Sequence, residues 1–155
     1  MKRNISRTIC AVVFATLSVL NVATVARAQE ECSNGTLRGS YGFSFTGEAP
    51  GEVGNVPVAG VGRVTYDGNG NFEAKQTISF GGSSFSFKFR GTYSVDADCT
   101  GTQTLFTVSG EEFGHLAIVI IDHGQEVRIT QTDPGVTLVG NERKQFSGRP
   151  PHRRN

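Results

Sequence analysis

The sequence predicts an all-β protein that folds as a single eight-stranded antiparallel up-and-down barrel, with a β-sandwich as the alternative. Apolar and polar residues alternate with a period of two through short segments, as they do in half-buried strands. Glycine, asparagine and aspartate separate these segments at turns of hairpin length. The chain beyond its N-terminal region shows no apolar stripe with helical spacing.

The alternation is clearest over residues 85–95, where the residues of one parity include three phenylalanines, a tyrosine and a valine. Residues 37–45 repeat this pattern, and the segment 113–121 is apolar on both of its faces. The least regular connection is predicted at residues 47–55, which contain proline and three glycines. The other predicted strands are 56–66, 72–80, 102–109, 125–131 and 136–146.

Eight consecutive strands with short links form a meander, and a meander has two exposed edges unless its sheet closes. A closed barrel of about eight strands has an interior that side chains fill, or that holds one small ligand. A sandwich would need longer crossing connections than most of those in this chain. The short links therefore favour the barrel.

Residues 1–28 have the organisation of a secretory signal peptide, with a basic start, an apolar stretch and an Ala-x-Ala site that ends at Ala28. We expect a barrel domain over residues 29–147 and a disordered polar tail over residues 148–155. The predicted location is secreted or periplasmic, with no integral membrane segment after the signal is cleaved.

Cleavage would leave two cysteines, Cys32 and Cys99. An even count in an exported chain predicts a disulfide, with two unpaired thiols as the alternative. The predicted signal carries four of the 15 lysines and arginines and none of the 14 acidic residues. Eleven bases against 14 acids give the remaining chain a formal charge of −3, which argues against nucleic acid as a partner.

The aromatic residues of the strands form the candidate ligand-binding site. They point inward in a barrel surrounded by water and outward in an outer-membrane barrel, and the charged last strand favours the first arrangement. Inward rings either fill the centre as a solid core or line a small apolar cavity. The candidate ligand-binding residues are Tyr41, Phe43, Phe45, Phe85, Phe87, Phe89 and Tyr93.

Catalytic and metal-binding motifs are weak in this sequence. The ionisable residues His115, Asp122 and His123 are close together in the chain, and an isomerase or cyclase with His115 as its base is one hypothesis. Residues 67–73 are similar to the start of a calcium loop, but Phe72 occupies the sixth position, where an EF-hand needs glycine. We therefore assign no catalytic residue, metal ligand or cofactor, and the sequence favours a protein that is not an enzyme.

Four motifs resemble those of a family of uncharacterised exported bacterial proteins, and they lie at residues 32–43, 65–70, 91–101 and 131–135. The resemblance spans nearly all of the chain after the signal, and it implies export and a barrel without implying an activity. More distantly, the segment around Tyr41 is similar to the Gly-x-Trp opening of lipocalin and avidin barrels, which implies a calycin-like fold. The short-loop barrel of allene oxide cyclase is similar in outline.

Two functional hypotheses follow from these observations. The first is an exported binding module that holds a small hydrophobic ligand among its inward aromatic residues. The alternative is a structural or interaction protein of the cell envelope with a filled core.

Overall fold

The computed structural model describes residues 31–146, which form a closed barrel of eight antiparallel strands. Each strand pairs with the next and β8 pairs with β1, so the predicted barrel is confirmed and the sandwich is excluded. The predicted signal peptide and polar tail lie outside the described residues. After a 3-10 turn at Asn34–Thr36, the strands are β1 Arg38–Gly51, β2 Gly54–Asp67, β3 Asn71–Phe80, β4 Ser83–Val95, β5 Thr100–Thr107, β6 Glu112–Ile121, β7 Glu126–Gln131 and β8 Thr137–Lys144.

The phenyl rings of alternate strand residues face the barrel interior, whereas charged residues such as Arg63, Glu73 and Lys88 are exposed on the outer wall. This is the orientation expected of a barrel surrounded by water. Within residues 31–146, no helix has the length and apolar character needed to cross a membrane.

One end of the barrel, the closed end, is filled by tyrosine side chains. Tyr66 makes edge-to-face contacts with Tyr41 and Tyr93, with ring centroids 5.4 and 5.1 Å apart. The hydroxyl of Tyr93 lies 3.0 Å from the main-chain oxygens of both Asn34 and Leu37, to which it donates. These contacts hold the 3-10 turn across the closed end, and the turn covers that end.

A disulfide between Cys32 and Cys99 anchors the same end, as the sequence predicts. It joins the start of the described chain to the connection between β4 and β5 across a separation of 67 residues. The amide of Val95 donates to the side-chain oxygen of Asn34 at 2.8 Å, beside the disulfide. The segment that covers the closed end is therefore fixed by both covalent and hydrogen bonds.

The prediction of an irregular connection at residues 47–55 is wrong, because these residues form the top of one long hairpin. Pairing of β1 with β2 continues to Gly51 and Gly54, although β1 leaves β8 after Glu48. The top of the hairpin is thus a two-stranded ribbon with unpaired outer edges. The outer edge of such a ribbon needs no donor, so Pro50 is tolerated there without its N–H.

Glycines in the wall make room for phenyl rings on the neighbouring strand. Phe43 and Phe45 of β1 lie directly opposite Gly62 and Gly60 of β2. A Cβ atom at Gly60 would clash with the far edge of the Phe45 ring. The Phe45 ring can therefore pack against β2 at this point only because residue 60 is glycine.

We expect Gly60→Ala to lower the free energy of unfolding by about 1–2 kcal/mol, because the added methyl group overpacks the wall against the Phe45 ring. Urea denaturation measures this change. The same substitution in a Phe45→Ala background should cost much less, since the ring is then absent. An equal cost in both backgrounds would show that the ring is not the source of the strain.

Candidate functional site

The half of the barrel toward its other end, the open end, encloses a cavity of about 330 Å³. Tyr41 and Tyr93, two of the seven predicted site residues, lie instead in the packed closed end. The interior is therefore filled at one end and hollow at the other, which combines the two arrangements that the sequence left open. The five predicted site residues that line the cavity are Phe43, Phe45, Phe85, Phe87 and Phe89.

Phe113 is a cavity-lining residue that strand alternation does not identify. A shift in the pairing of β5 with β6 sets Leu105 opposite Gly114 and Phe106 opposite Glu112, so Phe113 is the extra residue of a bulge. The bulge turns the Phe113 ring toward the mouth, where it lies edge-on to Phe89 with ring centroids 5.7 Å apart.

The polar floor of the cavity is formed by Glu142 and Gln103, and Gln76 is a third buried polar residue of its lining. Glu142, Gln103 and Gln76 all line the cavity and are 4%, 3% and 8% exposed. The side-chain amide of Gln103 donates to the hydroxyl of Tyr66 at 2.6 Å, and this hydroxyl donates to Oε2 of Glu142 at 2.8 Å. Tyr66 thus connects the cavity floor to the packed closed end.

Glu142 is a buried carboxylic acid. Burial raises its pKa to about 7, and the hydrogen bond from Tyr66 only partly opposes this effect. Burial also raises the pKa of Tyr66 well above its ordinary value, and the nearby carboxyl of Glu142 adds to that rise. The acid is therefore close to the midpoint of its titration at neutral pH.

Two polar groups of the cavity lining, the Glu142 carboxyl and the Gln76 amide, have unused hydrogen-bonding capacity. Within residues 31–146, Tyr66 supplies the only hydrogen bond to the Glu142 carboxyl, and the Gln76 amide makes none. Every fully enclosed side-chain nitrogen or oxygen of the described residues has a partner. The remaining atoms of these two groups are consequently open to the cavity and available to a bound molecule.

His115, the base considered in the isomerase hypothesis, is exposed on the outer wall and does not reach the cavity. Its Nδ1 lies 2.8 Å from Asp133 and its Nε2 lies 3.2 Å from Glu112. The hydrogen bond to Asp133 raises the pKa of His115. Asp122 and His123 lie in the turn after β6, at the closed end. The barrel therefore does not bring these three residues together.

The segment that is similar to a calcium loop is the tight turn between β2 and β3. The carboxylate of Asp67 accepts hydrogen bonds from the main-chain amides of Asn69 and Asn71 at 2.7 and 3.0 Å, and from the Asn71 side chain at 2.8 Å. The bonds from Asn71 and Asn69 lower the pKa of Asp67. This carboxylate therefore stabilises its own turn.

No protein-family model and no curated protein matches this chain. Among solved structures, it is similar to a de novo designed fluorescence-activating β-barrel. The two share 14% sequence identity with a TM-score of 0.46, over 70% of this chain and 93% of the designed one.

Proposed function

We propose that this chain is an exported binding protein whose cavity holds one small hydrophobic molecule. The observation that carries the proposal is the cavity of about 330 Å³ with phenyl and aliphatic walls. Pockets for small molecules span about 300–1,000 Å³ and have mainly apolar walls with a few polar groups. A structural protein with a filled core, the alternative from the sequence, leaves this cavity unexplained.

Export is part of this proposal. The signal-like residues 1–28 support it, and so does the disulfide between Cys32 and Cys99, since disulfides persist in oxidising compartments such as the periplasm or the cell exterior. The resemblance of the sequence to exported bacterial proteins is consistent with the same location.

The ligand would enter from the open end. Packed tyrosine rings and the hydrogen-bonded 3-10 turn cover the opposite end. Phe85 and Phe113 at the mouth are 49% and 40% exposed. Apolar rings at an opening are suited to receiving a hydrophobic molecule from water.

Titration with the neutral dye N-phenyl-1-naphthylamine tests the proposal, because its fluorescence rises in an apolar site. Ala49 lines the cavity and Ala59 is exposed on the outer wall. We expect saturable binding to the purified protein, at least a tenfold loss of affinity in Ala49→Trp, and little change in Ala59→Trp. The absence of saturable binding, or equal affinities in the two variants, would refute the proposal.

A further inference from the structure

The rim of the open end is acidic. No lysine or arginine occurs in the connections at residues 52–53, 81–82, 108–111 and 132–136. The carboxylates at this end belong to Glu48, Glu52, Glu111, Glu112 and Asp133.

Arg90 and His115 come near this rim from the outer wall. Arg90 extends to Gly110, where a Cβ atom would stand 3.3 Å from the guanidinium. His115 is engaged by Asp133 and Glu112. Neither side chain lines the cavity, so a molecule that enters passes carboxylates without meeting a cation on the cavity wall.

We propose that the cavity selects a hydrophobic amine, with its ammonium group against Glu142 at the floor and its apolar body among the phenyl rings. This inference rests on the proposed function of the cavity as a binding site. Two independent features support this selectivity. The floor offers an acceptor for the ammonium group, and the rim carries negative charge.

The floor fits an ammonium group better than the other common head groups. An ammonium has three donors and no acceptor, and the carboxyl of Glu142 at the floor is an acceptor that is open to the cavity. A buried carboxylate is costly unless an opposite charge compensates it. An alcohol would bring no charge to Glu142, and a carboxylate ligand would place two like charges together.

The acidic rim also favours a hydrophobic amine, through electrostatic attraction that acts before the ligand reaches the cavity. Carboxylates around a low-dielectric opening raise the local concentration of cations and repel anions. A hydrophobic amine is therefore attracted to the mouth before its apolar body enters, whereas a fatty-acid-like anion is repelled. The effect weakens as salt increases.

Three probes with one apolar body and different head groups test this inference: 4-phenylbutylamine, 4-phenylbutanol and 4-phenylbutanoate. Each displaces N-phenyl-1-naphthylamine from the purified protein at about pH 8, where the amine is protonated. We expect the amine to bind at least tenfold more tightly than the alcohol, and the carboxylate to bind most weakly.

Glu142→Gln should remove the advantage of the amine over the alcohol. The matched control is Glu73→Gln, because Glu73 is exposed on the outer wall, and this variant should keep the preference. Equal binding of amine and alcohol to the unmodified protein, or a preference that survives in Glu142→Gln, would overturn the inference while dye binding leaves the proposed function standing. Absence of binding by the dye and all three probes would refute the proposed function itself.

Discussion

Glu142→Gln is expected to raise the free energy of unfolding by about 3 kcal/mol at about pH 8.5 and to change it little at about pH 4. The folded protein holds this carboxyl with a pKa of about 7, against an ordinary value of 4.5. The unmodified protein must therefore bury a carboxylate at high pH. Glutamine has nearly the same shape, still accepts a hydrogen bond from Tyr66, and carries no charge.

The direction of the pH dependence follows from proton binding. Between about pH 4.5 and pH 7 the unfolded chain has lost the Glu142 proton and the folded protein retains it, so stability falls as pH rises through this window. The contribution is constant below and above the window. Tyr66 and Tyr41, the titratable side chains on β2 and β1 that interact with Glu142, have raised pKa values and stay protonated throughout.

Urea denaturation at a series of pH values measures this effect. Glu73→Gln is the matched control, because its carboxylate is exposed, and its stability should follow that of the unmodified protein at every pH. A gain in Glu142→Gln that is the same at pH 4 and pH 8.5 would show that burial of the charge is not its cause.

Removal of the disulfide by Cys32→Ser together with Cys99→Ser is expected to lower the free energy of unfolding by about 4 kcal/mol. The bond closes a loop across 67 residues, and loss of this constraint increases the conformational entropy of the unfolded chain. The closed end should also loosen first, so the Val95 amide, which donates to Asn34, should exchange with solvent faster.

Urea denaturation and amide hydrogen exchange provide the two measurements. Reductant should destabilise the unmodified protein by a similar amount and leave the double variant unaffected. A loss below about 1 kcal/mol would contradict the entropic argument and would mean that the hydrogen bonds around Asn34 are sufficient to hold the closed end.

The strands and the inward direction of their rings were predictable because alternation with a period of two requires only one dry face. The division of the interior into a packed end and a cavity was not predictable from this pattern. Tyr41 and Phe43 share a strand and a parity, yet one lies in the packed end and the other lines the cavity. That difference depends on which side chains meet across the barrel, and only the register of eight strands determines it.

Two further sites show where alternation fails. In β6, apolar residues occupy both faces, so the sequence pattern does not show which way His115 points. In the barrel, His115 points outward, on the same face as Val119, which is 46% exposed. In β8, pairing of Glu142 with Phe43 of β1 turns the carboxyl inward. In the sequence, Glu142 has the same parity as Leu138 and Gly140, which places a charged residue on the inward face of β8. This pattern identifies a buried carboxyl only when the inward face of the strand is already known.

The barrel is divided along its axis into a closed end that stabilises the fold and an open end that can change without unfolding it. The covalent link and the tyrosine cluster lie in one layer, and the cavity walls around Phe85 and Leu138 lie in another. Substitutions in the upper layer can alter the volume and polarity of the chamber while the lower layer continues to hold the strands in register. Randomised libraries confined to that upper layer should therefore retain a high fraction of folded members.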